Sequence, residues 1–156
     1  MAKRLTLQID RPCFKDILNG VQTVEHRYIY PSNAKRYVTQ EETPEGLDVQ
    51  PIQYDELLLI NGRRKDAPRL VVSVKRASFV VFTDENGNDL TFTEKGEEWL
   101  VCQVWYYLGE VLSSENCPRD FFYSPDLKAQ RLAELGEIEA EMERRTDIVP
   151  PEVIEQ

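Results

Sequence analysis

The stretch that most constrains this chain is Asp10–Tyr30, DRPCFKDILNGVQTVEHRYIY. Asp10 suits the N-terminus of a helix, because its carboxylate accepts from the unpaired amides of the first turn. Pro12 fits that turn, where no amide donor is needed, and Phe14, Ile17 and Leu18 recur at helical spacing. Asn19-Gly20 ends the helix, since glycine adopts the left-handed conformation of a helix exit. An alternating strand follows, with Thr23, Glu25 and Arg27 on one face and Val24, His26 and Tyr28 on the other. Opposite charges two positions apart form either a paired wall of a cleft or an exposed ion pair of little energetic weight.

The 156 residues suffice for one domain with a real core, plus an appendage. Cys13, Cys102 and Cys117 form no C-x-x-C pair, so neither a disulfide framework nor a zinc site is expected, and reduced thiols in a cytoplasm fit. No run approaches the twenty or so apolar residues of a membrane span, so no membrane partner is expected.

The net charge of −9 is unevenly distributed. Residues 1–76 hold 13 Lys/Arg against 10 Asp/Glu, residues 77–114 hold 1 against 7, and residues 115–156 hold 5 against 11. A mildly basic first half leaves room for a local positive patch. Gripping long duplex DNA through many phosphates calls for more basic charge than this, so small ligands or a short single strand fit better.

In chain order, Arg4–Ile9 alternates as a first strand. After Tyr30-Pro31, Ser32 is placed to cap a helical turn through Asn33–Arg36, and Tyr37–Gln53 reads as a long surface loop. Lys35 and Arg36 at its root either close over a ligand at Glu25 and Arg27 or are simply solvated. Tyr54–Ile60 is a strand, Asn61-Gly62 a turn, and Arg63-Arg64-Lys65 a basic tip that is either solubilising or a phosphate contact. Arg69–Phe82 reads as a strand bent near Arg76-Ala77. Asp84–Asp89 makes a second hairpin, and it lacks the spacing of a calcium loop.

Leu90–Thr93 and Trp99–Leu108 are the remaining strands. The second is apolar on both faces, with Trp99, Val101, Gln103, Trp105 and Tyr107 assigned to one of them, so most of its rings belong to a core. The alternative is that one or two rings floor a base-stacking cleft, with Gln103 as its polar reader. Phe121-Phe122-Tyr123 is expected to fold back onto the body. Ser124-Pro125 then starts a helix over 126–145 whose stripe of Leu127, Leu132, Leu135, Ile138 and Met142 calls for docking on its own domain or pairing with a second copy. DIVPPEVIEQ, at the end, is expected to be disordered.

His26 is the only histidine, so a histidine triad is not expected and a histidine-rich metal site is excluded. There is no P-loop or dinucleotide fingerprint, and no cofactor or metal is implied. Glu25 and Arg27 suit recognition better than proton transfer, because the guanidinium forks onto an oxygen pair while the carboxylate accepts from N–H groups.

The run Phe14-x-x-Ile17-Leu18-x-Gly20-x-Gln22-Thr23-x-Glu25-x-Arg27 resembles the defining segment of the ASCH family, a helix followed by G-x-K-x-x-E-x-R. Gly20, Glu25 and Arg27 match, and Gln22 stands where the family has lysine. The resemblance implies an α+β fold: a PUA-like, mostly antiparallel β-barrel over residues 1–113 with a helix between its first two strands. Residues 114–156 are then an irregular segment, an acidic C-terminal helix and a tail. It implies binding of RNA or a modified nucleoside beside Gly20–Arg27. On that reading the ligand-binding residues are Gln22, Thr23, Glu25, Arg27, Lys35, Arg36, Arg63 and Gln103. Two alternatives stand beside it. One is an amidohydrolase or ribonuclease, in which Thr23 or Lys35 replaces the lysine. The other is an acidic interaction factor of a phage or mobile element.

Overall fold

Asp10 caps the first helix, its Oδ1 accepting from the Cys13 amide at 3.0 Å ahead of helix α1, Arg11–Leu18. Gly20 leaves that helix at φ 72°, where a β-carbon would be strained. The computed structural model describes residues 1–144 and 146–148. Their contacts separate two compact units interleaved along the chain. Unit 1 is Met1–Glu25, Tyr54–Arg76 and Tyr107–Glu139; unit 2 is His26–Gln53, Ala77–Tyr106 and the described part of Ala140–Gln156.

In unit 1, strand β1 (Arg4–Gln8) pairs in parallel with β5 (Glu56–Ile60), and β5 pairs antiparallel with the start of β6 (Arg69–Phe82). A parallel pair cannot be closed by a tight turn, so the chain from Gln8 to Glu56 must travel before it returns. Leu5, Leu7, Leu57, Leu59, Leu70 and Val72 are buried, and Phe14 and Ile17 of α1 join them in the core. Phe121, in a 3-10 turn over Arg119–Phe121, does fold back, meeting Phe14 edge-on with ring centroids 5.8 Å apart.

Helix α3 spans Pro125–Arg144, with Ser124 Oγ accepting from the Leu127 amide at 3.2 Å. Its expected apolar docking face is not what holds it. Leu127, Leu132 and Ile138 are exposed and Leu135 is half-buried; the side chain of Met142 lies outside the described residues. Instead Arg131 grips Asp16 of α1, donating from Nε to Oδ1 at 3.2 Å and from Nη2 to Oδ2 at 2.6 Å, while the Tyr123 hydroxyl donates to Oδ1 at 2.6 Å. Asp16 is 3% exposed, so a polar latch, not a leucine stripe, anchors the first turns of α3.

Unit 2 departs further from expectation. The loop read over Tyr37–Gln53 is a hairpin, β3 (Val38–Thr43) against β4 (Gly46–Pro51), turning through Pro44-Glu45 with Gly46 at φ 122°. Most of its side chains are exposed, which erases the alternation a half-buried strand would print in the sequence. The short helix is α2, Ala34–Tyr37, with Asn33 rather than Ser32 at its N-cap. Trp99–Leu108 is not one strand. Trp99 belongs to β8 (Glu97–Leu100), which pairs with β7 (Thr91–Glu94), and β9 begins at Cys102 and runs to Glu115. Val101 breaks the run because its amide donates to the Leu90 carbonyl at 2.9 Å and its carbonyl accepts from Phe82 at 3.0 Å. The bend expected in β6 is marked by Gln53, whose amide group bonds both the N–H and the carbonyl of Ala77, at 3.0 and 3.3 Å.

The fold is α+β with a mixed, mostly antiparallel sheet. Strand β2 is Val24–Ile29, and pairing runs β1-β5-β6-β9-β2, with β10 (Thr146–Ile148) added on β6. Helix α1 does lie between the first two strands in sequence. Among the described residues no pairing joins β1 to β2 and no closed barrel is found; the sheet is compatible with a small barrel-like fold. Asp147 and Ile148, expected in a disordered tail, pair with Val81 and Val80; the rest of that tail lies outside the described residues. No described helix is long and apolar enough to cross a membrane.

Candidate functional site

The exit of α1 sets the Gly20–Glu25 segment. The Asp16 carbonyl accepts from both Val21 and Gln22 amides, at 2.8 and 3.0 Å, which fixes where the Gln22 side chain starts. Gln22 Nε2 then donates to the Val24 carbonyl at 3.0 Å and to Glu25 Oε1 at 3.1 Å. Glu25 is 6% exposed. A carboxylate so deeply withdrawn from water is costly unless hydrogen bonds hold it, and Gln22 provides one. Thr23 is exposed, and its carbonyl accepts from the Leu108 amide at 2.8 Å. The basic tip is exposed as expected; Arg63 is at the surface and Arg64 pairs loosely with Asp66 at 3.4 Å.

Arg27, Lys35, Arg36 and Gln103 fall in unit 2. Strand β2 keeps the alternation read from the sequence: Glu25 and Ile29 are buried, Arg27 between them is half-buried, and Tyr28 is exposed. Lys35 and Arg36 are exposed; Lys35 borders a cavity of about 460 Å³ that it shares with Trp99 and Ile52, and Arg36 lies over the Tyr37 ring at 6.0 Å. Gln103 is buried, its Oε1 accepting from Trp105 Nε1 at 2.7 Å, which commits that oxygen to the core. Trp99, parted from them by the break at Val101, lines an adjoining apolar cavity of about 250 Å³ with Phe79, Leu47 and Val49. Its Nε1–H is buried and meets no acceptor among the described residues.

His26 stands edge-on to Trp105, centroids 4.7 Å apart. Burial pushes its pKa down from 6.5 to about 4, so the imidazole is neutral at pH 7 and is unsuited to carry charge. The consequence for stability has a definite sign. Above pH 6.5 folded and unfolded chains both hold a neutral ring; between 6.5 and about 4 only the unfolded chain takes up the proton, so stability falls as pH falls through that window. A His26→Phe variant, compared by urea denaturation across that range, should lose part of the wild-type pH slope. An unchanged slope would show that the ring protonates freely in the fold.

Asp16, Tyr123 and Arg131 carry no local signal in the sequence, because nothing nearby marks Asp16 as the partner of residues more than a hundred positions away. Tyr28 and Tyr30 do carry a local signal, their alternation at the end of a strand. Their rings lie near-parallel, 24° apart in plane with centroids 6.1 Å apart, and Tyr28 is also stacked near Phe82 at 6.0 Å. Asn33 secures the backbone beneath them, accepting from the Tyr30 amide at 2.8 Å and donating to the Tyr28 carbonyl at 3.2 Å. No family model matches the chain, and no curated protein or solved structure matches it.

Proposed function

We propose that the protein is an ASCH-like module of PUA-like architecture that binds RNA or a nucleoside at the Gly20–Arg27 segment. The observation that carries this reading is the buried Glu25 carboxylate held by the Gln22 amide. Gln22 occupies the position of the family's lysine and supplies the same kind of hydrogen-bond donor without its charge. A carboxylate is an acceptor only, and it suits the N–H groups on the edge of a base. Arg27, two positions on, offers the complementary fork for an oxygen pair. An amide does not titrate, so Gln22 holds and orients but has no proton to exchange, and recognition is the activity this set supports.

Titration calorimetry with nucleosides and short oligonucleotides tests the assignment. Arg27→Ala should lose about 1.5–3 kcal/mol of binding, roughly ten-fold to a hundred-fold in affinity, as removal of a charged hydrogen bond does. Glu25→Gln, which keeps the shape and removes the charge, should fall in the same direction. Wild-type affinity in both variants would place the ligand elsewhere and leave the two residues with a structural role.

A further inference from the structure

We propose that Tyr28 and Tyr30 form a stacking platform in unit 2 for two successive bases of a single-stranded nucleic acid. The inference rests on the nucleic-acid reading above and narrows its ligand from a free nucleoside to a strand. Both rings are open to solvent, at 48% and 43% exposure, although aromatic rings ordinarily contribute most when buried. They are also held in place. Phe82 stacks near Tyr28 with planes 29° apart, Phe92 meets Tyr30 edge-on at 6.0 Å, and Asn33 ties the backbone of both tyrosines. Rings fixed in advance lose little freedom when a ligand arrives, and a π-face accepts any base.

Charge indicates what the platform meets. The segment His26–Tyr37, HRYIYPSNAKRY, carries Arg27, Lys35 and Arg36 and no acid, within a chain of net charge −9. Lys35 and Arg36 are exposed. An excess of three positive charges in the same chain segment as the exposed aromatic rings complements a phosphate backbone with unstacked bases. One ring would suffice for a free nucleoside; two in series fit neighbouring bases of a strand.

Fluorescence anisotropy with labelled oligo-uridine and oligo-thymidine, alongside calorimetry with free uridine, tests this. Tyr28→Ala and Tyr30→Ala should each weaken oligonucleotide binding about ten-fold, and the double variant about a hundred-fold, as loss of base stacking does. The double Tyr→Phe variant keeps both π-faces and should bind like wild type, which separates stacking from any loss of fold. Lys35→Ala and Arg36→Ala should each lower the salt slope of binding by about one. Oligonucleotide binding unchanged in the double alanine variant would overturn the platform while leaving the nucleoside reading intact. Oligonucleotide binding that depends on the tyrosines but not on Glu25 or Arg27 would keep the platform and overturn that reading. If wild-type protein binds no oligonucleotide and the aromatic strip instead joins two protein chains in solution, the platform is also overturned.

Discussion

Arg131→Ala is expected to cost about 3 kcal/mol of stability, far more than an ordinary surface ion pair. The asymmetry of the pair is the reason. Asp16 is almost sealed from water, with 4% of its side chain exposed, whereas Arg131 retains 29%. Removing the arginine leaves a buried carboxylate with the Tyr123 hydroxyl as its remaining side-chain donor of the latch. Removing the carboxylate instead frees a guanidinium that can turn to solvent, so Asp16→Ala should cost less. The partial exposure of Arg131 keeps the cost at the low end of the range for broken buried pairs. Urea denaturation gives the magnitude, and hydrogen exchange over the first turns of α3 shows whether the loss is felt there first. A penalty of less than about 1 kcal/mol would show that the latch behaves as a surface contact, and equal losses in both variants would show that the burial of Asp16 does not set an asymmetry.

Trp105→Ala should be at least as damaging, at about 3–5 kcal/mol. The residue is 2% exposed, packs its ring against His26, and donates to Gln103 at 2.7 Å. Truncation therefore opens a cavity and strips a buried amide oxygen of its partner. Trp105→Phe divides the two effects. It retains most of the ring and removes the donor, so it should cost about 1–3 kcal/mol, the usual penalty for an unsatisfied buried polar group. Equal losses in the two variants would mean that the hydrogen bond, not the packing, dominates this part of the core.

The segments most legible in the sequence are those whose chemistry is local. Asp10, Pro12 and Gly20 punctuate α1 because capping, a donor-free first turn and a left-handed exit each depend on one residue's own geometry. The alternation of β2 survives for the same reason. The β3–β4 hairpin was hidden because its strands bury so little that Glu41, Glu42 and Asp48 look like loop residues. The break at Val101 is set by partners at Phe82 and Leu90, which no window around Trp99–Leu108 contains. The parallel β1–β5 pair joins residues some fifty positions apart, and the Asp16–Arg131 contact spans 115. At the candidate site, Glu25 and Arg27 were picked out by charge on a strand, while the donor role of Gln22 toward Glu25 needed the backbone path out of α1.

Both tryptophans of the chain, Trp99 and Trp105, fall within Ala77–Tyr106 and so within unit 2, and unit 1 has none. Indole emission is therefore a label already built into one unit, requiring no engineered probe. Excited selectively, it follows the melting of unit 2, while far-ultraviolet circular dichroism follows the backbone of both. Coincident midpoints would mean a single cooperative transition, and any separation between them would measure the independence of the two units directly.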